Sequence, residues 1–463
     1  MNAYKRVHFV GIGGIGMSAM AKLLKAQDVY VSGSDVNDSV IVQSCRDMNI
    51  QVWLGSHPDK MGKDVELVVY SGAVPEDDEE RIRGRHLDAR EVVYNEFLGE
   101  VSRDHKLIAV TGTHGKSTTT ALLGKILIDA GLDPTVVVGS QVPGLKYGNL
   151  QVGKSNLFVA EACEYQSHML HLDPDIIVLT NIEFDHPDFY KDVDHVRSTM
   201  KQFVEKLPEG GILVWNKNDE QSRILVGEIV ESRPDIRLIS HGDDAEFYTV
   251  VESLPGDQLV HVYMQGIEIG DVHLPLPGEY NVANAMSASL AAYALDVPSA
   301  TIKQSLESFP GLWRRFEKLG KFQDADVYSD YAHHPTALAS LLEGTKTFLP
   351  DRRIVLCFQP HQHARTRGLF DEFVVSMDDA DEVVLIEIYD VAGRNEVSAD
   401  TSSAELVEAI KKHDQARGVV REVIFAKDLV EARTALGKVV RKDYVLLMAG
   451  AGSIDGLARE LVQ

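Results

Sequence analysis

Positive charge is in short supply. The 463-residue chain carries 46 lysines and arginines against 70 aspartates and glutamates, a formal charge of −24. A nucleic-acid backbone needs a basic footprint, so nucleic acid is not expected as a partner. Cysteine is scarcer: Cys45, Cys163 and Cys357 stand far apart and form no Cys-x-x-Cys pair. That argues against a disulfide framework and a zinc ribbon. No apolar run approaches the ~18–20 residues of a membrane span, so no membrane insertion is expected. Met1 to Val10 reads as a short lead into a strand, without the apolar core of a secretion signal. Repeats and low-complexity tracts are also missing. These absences predict a soluble, cytoplasmic protein and leave its oligomeric state open.

What is present is ordinary for a globular chain, with 44 % apolar and 25 % charged residues. The length predicts about three domains of roughly 100–200 residues each. Short β-branched runs alternate with helical stretches. Val7–Val10, Leu107–Val110, Leu157–Ala160, Ile176–Leu179 and Ile354–Cys357 read as buried parallel strands, which predicts an α/β class. Two strand–glycine–helix starts, at Gly11 and Gly112, predict two separate sheets. Polar Val101–His105 marks a boundary, and Pro310–Gly311 a second one. The expected domains are therefore 1–104, 105–311 and 312–463. Between Thr249 and Leu274, Val260, Val262 and Met264 alternate with His261, Tyr263 and Gln265, the period of a small β excursion.

Gly11-Ile12-Gly13-Gly14-Ile15-Gly16 fits G-x-G-x-x-G between a strand and a helix. Its glycines allow a tight turn and a diphosphate close to the helix N-terminus. Asp35, 19 residues past Gly16, ends the next strand, where an acid receives ribose hydroxyls. A dinucleotide and a UDP-sugar both satisfy this pattern. The second loop, Thr111-Gly112-Thr113-His114-Gly115-Lys116-Ser117-Thr118, is a shortened phosphate loop. Its backbone N–H groups cradle phosphates, Lys116 neutralises them, and Ser117 reaches Mg2+. Read from Gly11 to Asp35 alone, the chain would be a nicotinamide-dependent oxidoreductase; that reading leaves Lys116 unexplained.

Glu161 and His186 follow two apolar strands, at the end of the sheet where ligands bind, and both are candidate metal ligands. Asp330 to Pro335 and His361 to Arg365 hold four histidines whose spacings match no common zinc signature. Polar substrate contacts on loops after strands are the preferred reading. Arg314 and Arg315 read either as a bidentate phosphate clamp or as a solvated surface pair.

Taken in order, these segments resemble the Mur ligase family over essentially the whole chain. Gly278-Glu279-Tyr280-Asn281-Val282-Ala283-Asn284, Arg314-Arg315-Phe316-Glu317, Asp330-Tyr331-Ala332-His333-His334-Pro335 and Phe358-Gln359-Pro360-His361 add to the match. The resemblance implies an N-terminal Rossmann-like domain for a UDP-sugar and a central P-loop ATPase-like parallel sheet. A C-terminal Rossmann-like domain for the amino acid completes it. It also implies a reaction of peptidoglycan precursor synthesis. ATP phosphorylates the carboxylate of UDP-N-acetylmuramate, and the amine of L-alanine attacks the acyl phosphate; a tripeptide is the alternative nucleophile.

By the same resemblance Lys116 acts on the γ-phosphate, Ser117 and Glu161 hold one Mg2+, and His186 holds a second. Asn281 and Asn284 contact the adenine. Arg315 and Asp330 contact the nucleotide on domain closure, and His333 is catalytic. His361 and Arg365 face the amino acid. Three positions depart from the pattern. Gln362 stands where many relatives have arginine, and Cys163 where many have aspartate. Met200 falls near the lysine that later members carbamylate, so no such modification is predicted.

Overall fold

The computed structural model describes residues 4–389 and 401–463; Met1–Ala3 of the expected lead lie outside them. Packing divides the chain into two compact units. One comprises Met1–Ile182, Val196–Ser240 and Ser287–Ser305, the other Glu183–His195, His241–Met286 and Leu306–Gln463.

The first unit contains two groups of strands. Strands β1 (Arg6–Val10), β2 (Tyr30–Asp35), β3 (Gln51–Leu54), β4 (Leu67–Tyr70) and β5 (Arg90–Val93) form an all-parallel sheet ordered β3-β2-β1-β4-β5. The connections reverse direction beside β1, so the Gly11 loop leaves the sheet at a topological switch point. The other strands are β6 (Lys106–Thr111), β7 (Thr135–Val137), β8 (Leu150–Gln151), β9 (Leu157–Glu161), β10 (Ile176–Leu179), β11 (Ile212–Asn216) and β12 (Arg237–His241). Their order is β12-β11-β10-β6-β9-β7-β8. Strand β6 lies parallel between β10 and β9, and the short β8 runs antiparallel to β7. The Gly112 loop therefore also leaves a central strand between two parallel neighbours.

In the second unit, β13 (Phe247–Leu254), β14 (Asp257–Met264) and β15 (Ile267–Leu274) form an antiparallel meander, as the alternation predicts. Gln265 departs from that pattern. With Gly266 it makes the turn, at φ 50° and 81°, because a two-residue hairpin needs positive φ at both central positions.

The remaining strands are β16 (Glu317–Phe322), β17 (Ala325–Asp330), β18 (Ile354–Phe358), β19 (Glu382–Ile386), β20 (Val423–Ala426) and β21 (Val445–Ala449), ordered β16-β17-β21-β18-β19-β20. All but β16 run parallel. Leu356 and Phe358 of β18 pack into one core with Leu338 and Phe373. Val355 and Cys357 point into another with Val384 and Leu436. Burial on both faces explains the unbroken apolar run of this strand.

Candidate active site

The Gly11 loop is held from behind. Gly11 and Ile12 both donate to the Ser34 carbonyl at 2.9 Å. Gly13 donates to Asp35 Oδ2 at 2.8 Å, and Asn37 N–H donates to Asp35 Oδ1 at 3.0 Å. Glycine is required at position 13, because a Cβ there would lie 2.8 Å from Asp35 Oδ2. Gly14 caps the helix Ile15–Ala26, whose first-turn N–H groups are open to an anion. Asp35 thus fixes the shape of the loop from the end of β2.

The Lys116 loop follows the buried strand β6. Gly112 and Gly115 take φ of 131° and 83°, conformations that side chains with a Cβ rarely adopt. A Cβ on Gly112 would also lie 2.1 Å from Thr180 Oγ1. Thr180 and Asn181, at the end of β10, brace this loop. Thr180 donates to the His114 carbonyl at 2.6 Å. Asn181 accepts from the His114 N–H at 2.9 Å and donates to its carbonyl at 3.1 Å; its own carbonyl accepts from Thr113 N–H at 3.1 Å.

Lys116 bends back over the loop. It donates to the carbonyls of Gly112 and Thr113 at 2.5 and 3.0 Å and pairs with Glu164 at 2.8 Å. Burial alone would lower its pKa; Glu164, with Cys163 and Glu161, overrides that and holds it above the ordinary lysine value. Ser117 and Thr118, both buried, open the helix Lys116–Asp129. Ser117 Oγ donates to Glu161 Oε2 at 3.1 Å, and Gly139 N–H donates to Glu161 Oε1. A hydroxyl and a carboxylate therefore meet beside a phosphate loop, a pair of hard oxygen donors suited to Mg2+.

In the second unit the parallel order β17-β21-β18 lines up three carboxyl ends. Asp330 ends β17, Gly450 follows β21, and Gln359 to His361 follow β18. Asp330 accepts from Phe316 N–H and Ala332 N–H, each at 2.7 Å. Burial raises its pKa above the ordinary aspartate value, although Arg315 and both N–H groups oppose this. Arg315 lies 4.9 Å over the Tyr331 ring. Arg314 does not fit the solvated-pair reading. It is buried and donates to the carbonyls of Gly450 and Gly452, tying the segment before β16 to the end of β21, so it does not face solvent.

His333 Nδ1 lies 2.8 Å from the Tyr331 carbonyl, which can only accept, so Nδ1 carries the proton and Nε2 is the acceptor. Burial and the Arg365 charge push its pKa well below the ordinary histidine value, leaving a neutral imidazole. His361 stacks on Tyr389 with ring centres 5.8 Å apart and lies 6.1 Å from the His333 ring. Arg365 is fully buried: Nε donates to Asp185 at 2.9 Å, and Nη1 lies 3.4 Å from the His361 carbonyl. That pair holds the Asp185 carboxyl well below its usual pKa against the opposing effect of burial. His186, at φ 57°, follows Asp185 and donates its N–H back to the Asp185 carboxylate at 2.6 Å. Asn281 Nδ2 donates to the Pro277 carbonyl at 2.8 Å, and Asn284 donates to Asn281 at 3.3 Å.

Three family models match in succession: "Mur ligase family, catalytic domain" over 6–106, "Mur ligase middle domain" over 110–292, and "Mur ligase, glutamate ligase domain" over 314–452. The UDP-N-acetylmuramate–L-alanine ligase of Clostridium perfringens is 35 % identical over 454 residues, 97 % of this chain and 96 % of that one. The chain belongs to the Mur ligase family. The ligase of the same description from Desulfitobacterium hafniense is 36 % identical over 460 residues, 98 % and 99 % of the two chains. Among solved Mur ligases, the UDP-N-acetylmuramate–alanine ligase of Thermotoga maritima superposes with a TM-score of 0.83 at 26 % identity, covering 99 % of this chain and 98 % of that one. A murein peptide ligase of Psychrobacter arcticus shares the fold, with a TM-score of 0.72 at 23 % identity over 98 % of both chains.

The architecture is accordingly the three-domain α/β fold of the Mur ligases. From the sequence, the segments ending in Glu164 and running from Thr180 to His186 are expected to face the phosphate loop, with only Glu161 and His186 given roles; Gln359 and Gly450 are given none. One of these had a sequence signal: Ala449-Gly450-Ala451-Gly452-Ser453 is a glycine-rich turn after an apolar strand.

Proposed function

We propose that the protein joins L-alanine to UDP-N-acetylmuramate in peptidoglycan precursor synthesis, converting ATP to ADP and phosphate through an acyl phosphate. The Lys116 loop carries this reading: a phosphate cradle with Ser117 and Glu161 3.1 Å apart beside it. The full-length likeness to curated alanine-adding ligases selects the substrates. We place the domains at 1–104 for the UDP-sugar, 105–311 for ATP and 312–463 for the amino acid, in a cytoplasmic enzyme.

The Gly11 to Gly16 loop binds the diphosphate at a helix N-terminus, with Asp35 toward the ribose. Gly112 to Thr118 wrap the ATP phosphates, and Asn281 and Asn284 face the adenine. Ser117 and Glu161 hold one Mg2+, and His186 is the ligand for a second. When bound, these ions neutralise the charge that builds on the transferring phosphoryl group. Lys116 leaves Glu164 for the γ-phosphate, and Arg315 and Asp330 complete the nucleotide contacts. The muramoyl carboxylate takes the phosphoryl group, because a free carboxylate has too poor a leaving group to acylate an amine. Neutral His333, with Nε2 as acceptor, takes a proton from the amino acid's ammonium, and the amine so freed attacks the acyl phosphate and expels phosphate. His361 receives the amino acid, and Arg365 acts through it by fixing its backbone.

Phosphate release is measured with ATP, UDP-N-acetylmuramate and either L-alanine or the tripeptide. Release with L-alanine is expected, and turnover with the tripeptide alone would overturn the assignment.

A further inference from the structure

The first unit contains a tyrosine that the chemistry above does not use. Tyr94 opens the helix Tyr94–Ser102. Two glycines seat that helix. A Cβ on Gly16 would lie 2.3 Å from the Tyr94 hydroxyl oxygen, so the phenol rests directly on the first turn of the anion-binding helix. A Cβ on Gly99 would lie 2.2 Å from the His171 carbonyl oxygen. The same helix is therefore wedged against the segment Tyr165–His171, which follows Glu161, Cys163 and Glu164 in the chain. It spans from the helix that follows the Gly11 loop to His171, and Tyr94, at its leading end, lies near enough to Glu161 and Cys163 to feel their charges.

The phenol is only partly buried. Among the described residues, no group receives a hydrogen bond from it. Burial, followed by the nearby charges of Glu161 and Cys163, holds its pKa above the ordinary tyrosine value. An ordinary phenol, with a pKa of about 10, is already a neutral donor near pH 7. Neutrality suits the position: a carboxylate that must attack a phosphorus atom is oriented by a neutral O–H, whereas an ammonium group would quench its charge.

We propose that Tyr94 is a substrate-positioning residue, its hydroxyl donating a hydrogen bond to the muramoyl end of UDP-N-acetylmuramate between the Gly11 and Lys116 loops. The inference rests on the function proposed above. Its ligand class is the acid-bearing sugar, not the nucleotide triphosphate.

The test compares wild type and Tyr94→Phe in steady-state turnover with ATP, UDP-N-acetylmuramate and L-alanine, alongside thermal unfolding. The Phe ring keeps the packing on Gly16 and loses only the donor. About a 10-fold or greater rise in KM for UDP-N-acetylmuramate is expected, the size of one lost hydrogen bond to a charged group. KM for ATP and the unfolding midpoint should stay at their wild-type values. An unchanged UDP-sugar KM overturns the proposal. So does a parallel loss for both substrates with a lowered midpoint, which would make the hydroxyl structural. Wild type failing to turn over these substrates would instead overturn the functional reading, and a direct titration of UDP-N-acetylmuramate into both proteins separates the two failures.

Discussion

At the scale of single residues, the ionic groups divide by what they hold. Lys116 is held by Glu164 and two loop carbonyls. Lys116→Ala should lower kcat by roughly 10²–10³ or more, the cost of removing one charge-stabilising donor. UDP-sugar affinity, measured by titration calorimetry, should barely move. Arg365 was legible as a site residue, but its partner was not, because Asp185 lies 180 positions away. The pair is buried, so removing one member leaves an unpaired charge. Asp185→Ala should cost about 3–5 kcal/mol in urea unfolding, whereas an exposed ion pair would cost under about 1 kcal/mol. Single-residue chemistry was readable wherever a motif spells it out, and unreadable wherever the fold supplies the partner.

Among elements, the five central strands read from apolar runs, the 249–274 meander and both glycine loops followed from apolar patterning and local spacing. The braces between elements did not, because spacing along the chain carries no record of which loop ends meet. Asn181 is one such brace, with three backbone bonds to Thr113 and His114. Asn181→Ala should loosen the Lys116 loop and raise KM for ATP about 10-fold, with UDP-sugar KM unchanged in the same assay. Asn149 is another. It accepts from the buried Lys22 ammonium at 2.8 Å and donates to the Ile15 carbonyl at 2.6 Å, tying the helix after the Gly11 loop to the residue preceding β8. Losing it leaves the buried lysine, among the described residues, with the Tyr147 carbonyl alone, at 3.1 Å, and Asn149→Ala should cost about 1–3 kcal/mol of unfolding free energy in urea.

For the whole molecule, acidity sets the response to salt and pH. A net charge of −24 repels itself in the compact state, so the unfolding midpoint should rise between about 10 and 200 mM salt as the Debye length shortens. On the acid side His241 counts. Burial lowers its pKa from 6.5 to about 4, so the unfolded chain takes up that proton first as pH falls. Its stability contribution is complete above about pH 6.5 and is lost toward pH 4; His333 acts in the same direction. Asp185 behaves differently: its contribution persists down to its unfolded value near pH ~3.9 and fades only below that. Urea unfolding at pH 7.5 and 5 should show the histidine loss, reduced in His241→Gln. Composition made the sign of the net charge visible, while the buried histidine was invisible because nothing in its neighbourhood marks it.

The folded-back Lys116 has a consequence for what the protein ignores. A lysine that already holds a carboxylate and two carbonyls yields only to a stronger rival. A nucleoside or a monophosphate brings too little charge within reach to displace Glu164, whereas a polyphosphate brings enough. On the proposed function, the resting loop therefore favours a polyphosphate tail over a nucleoside or a monophosphate.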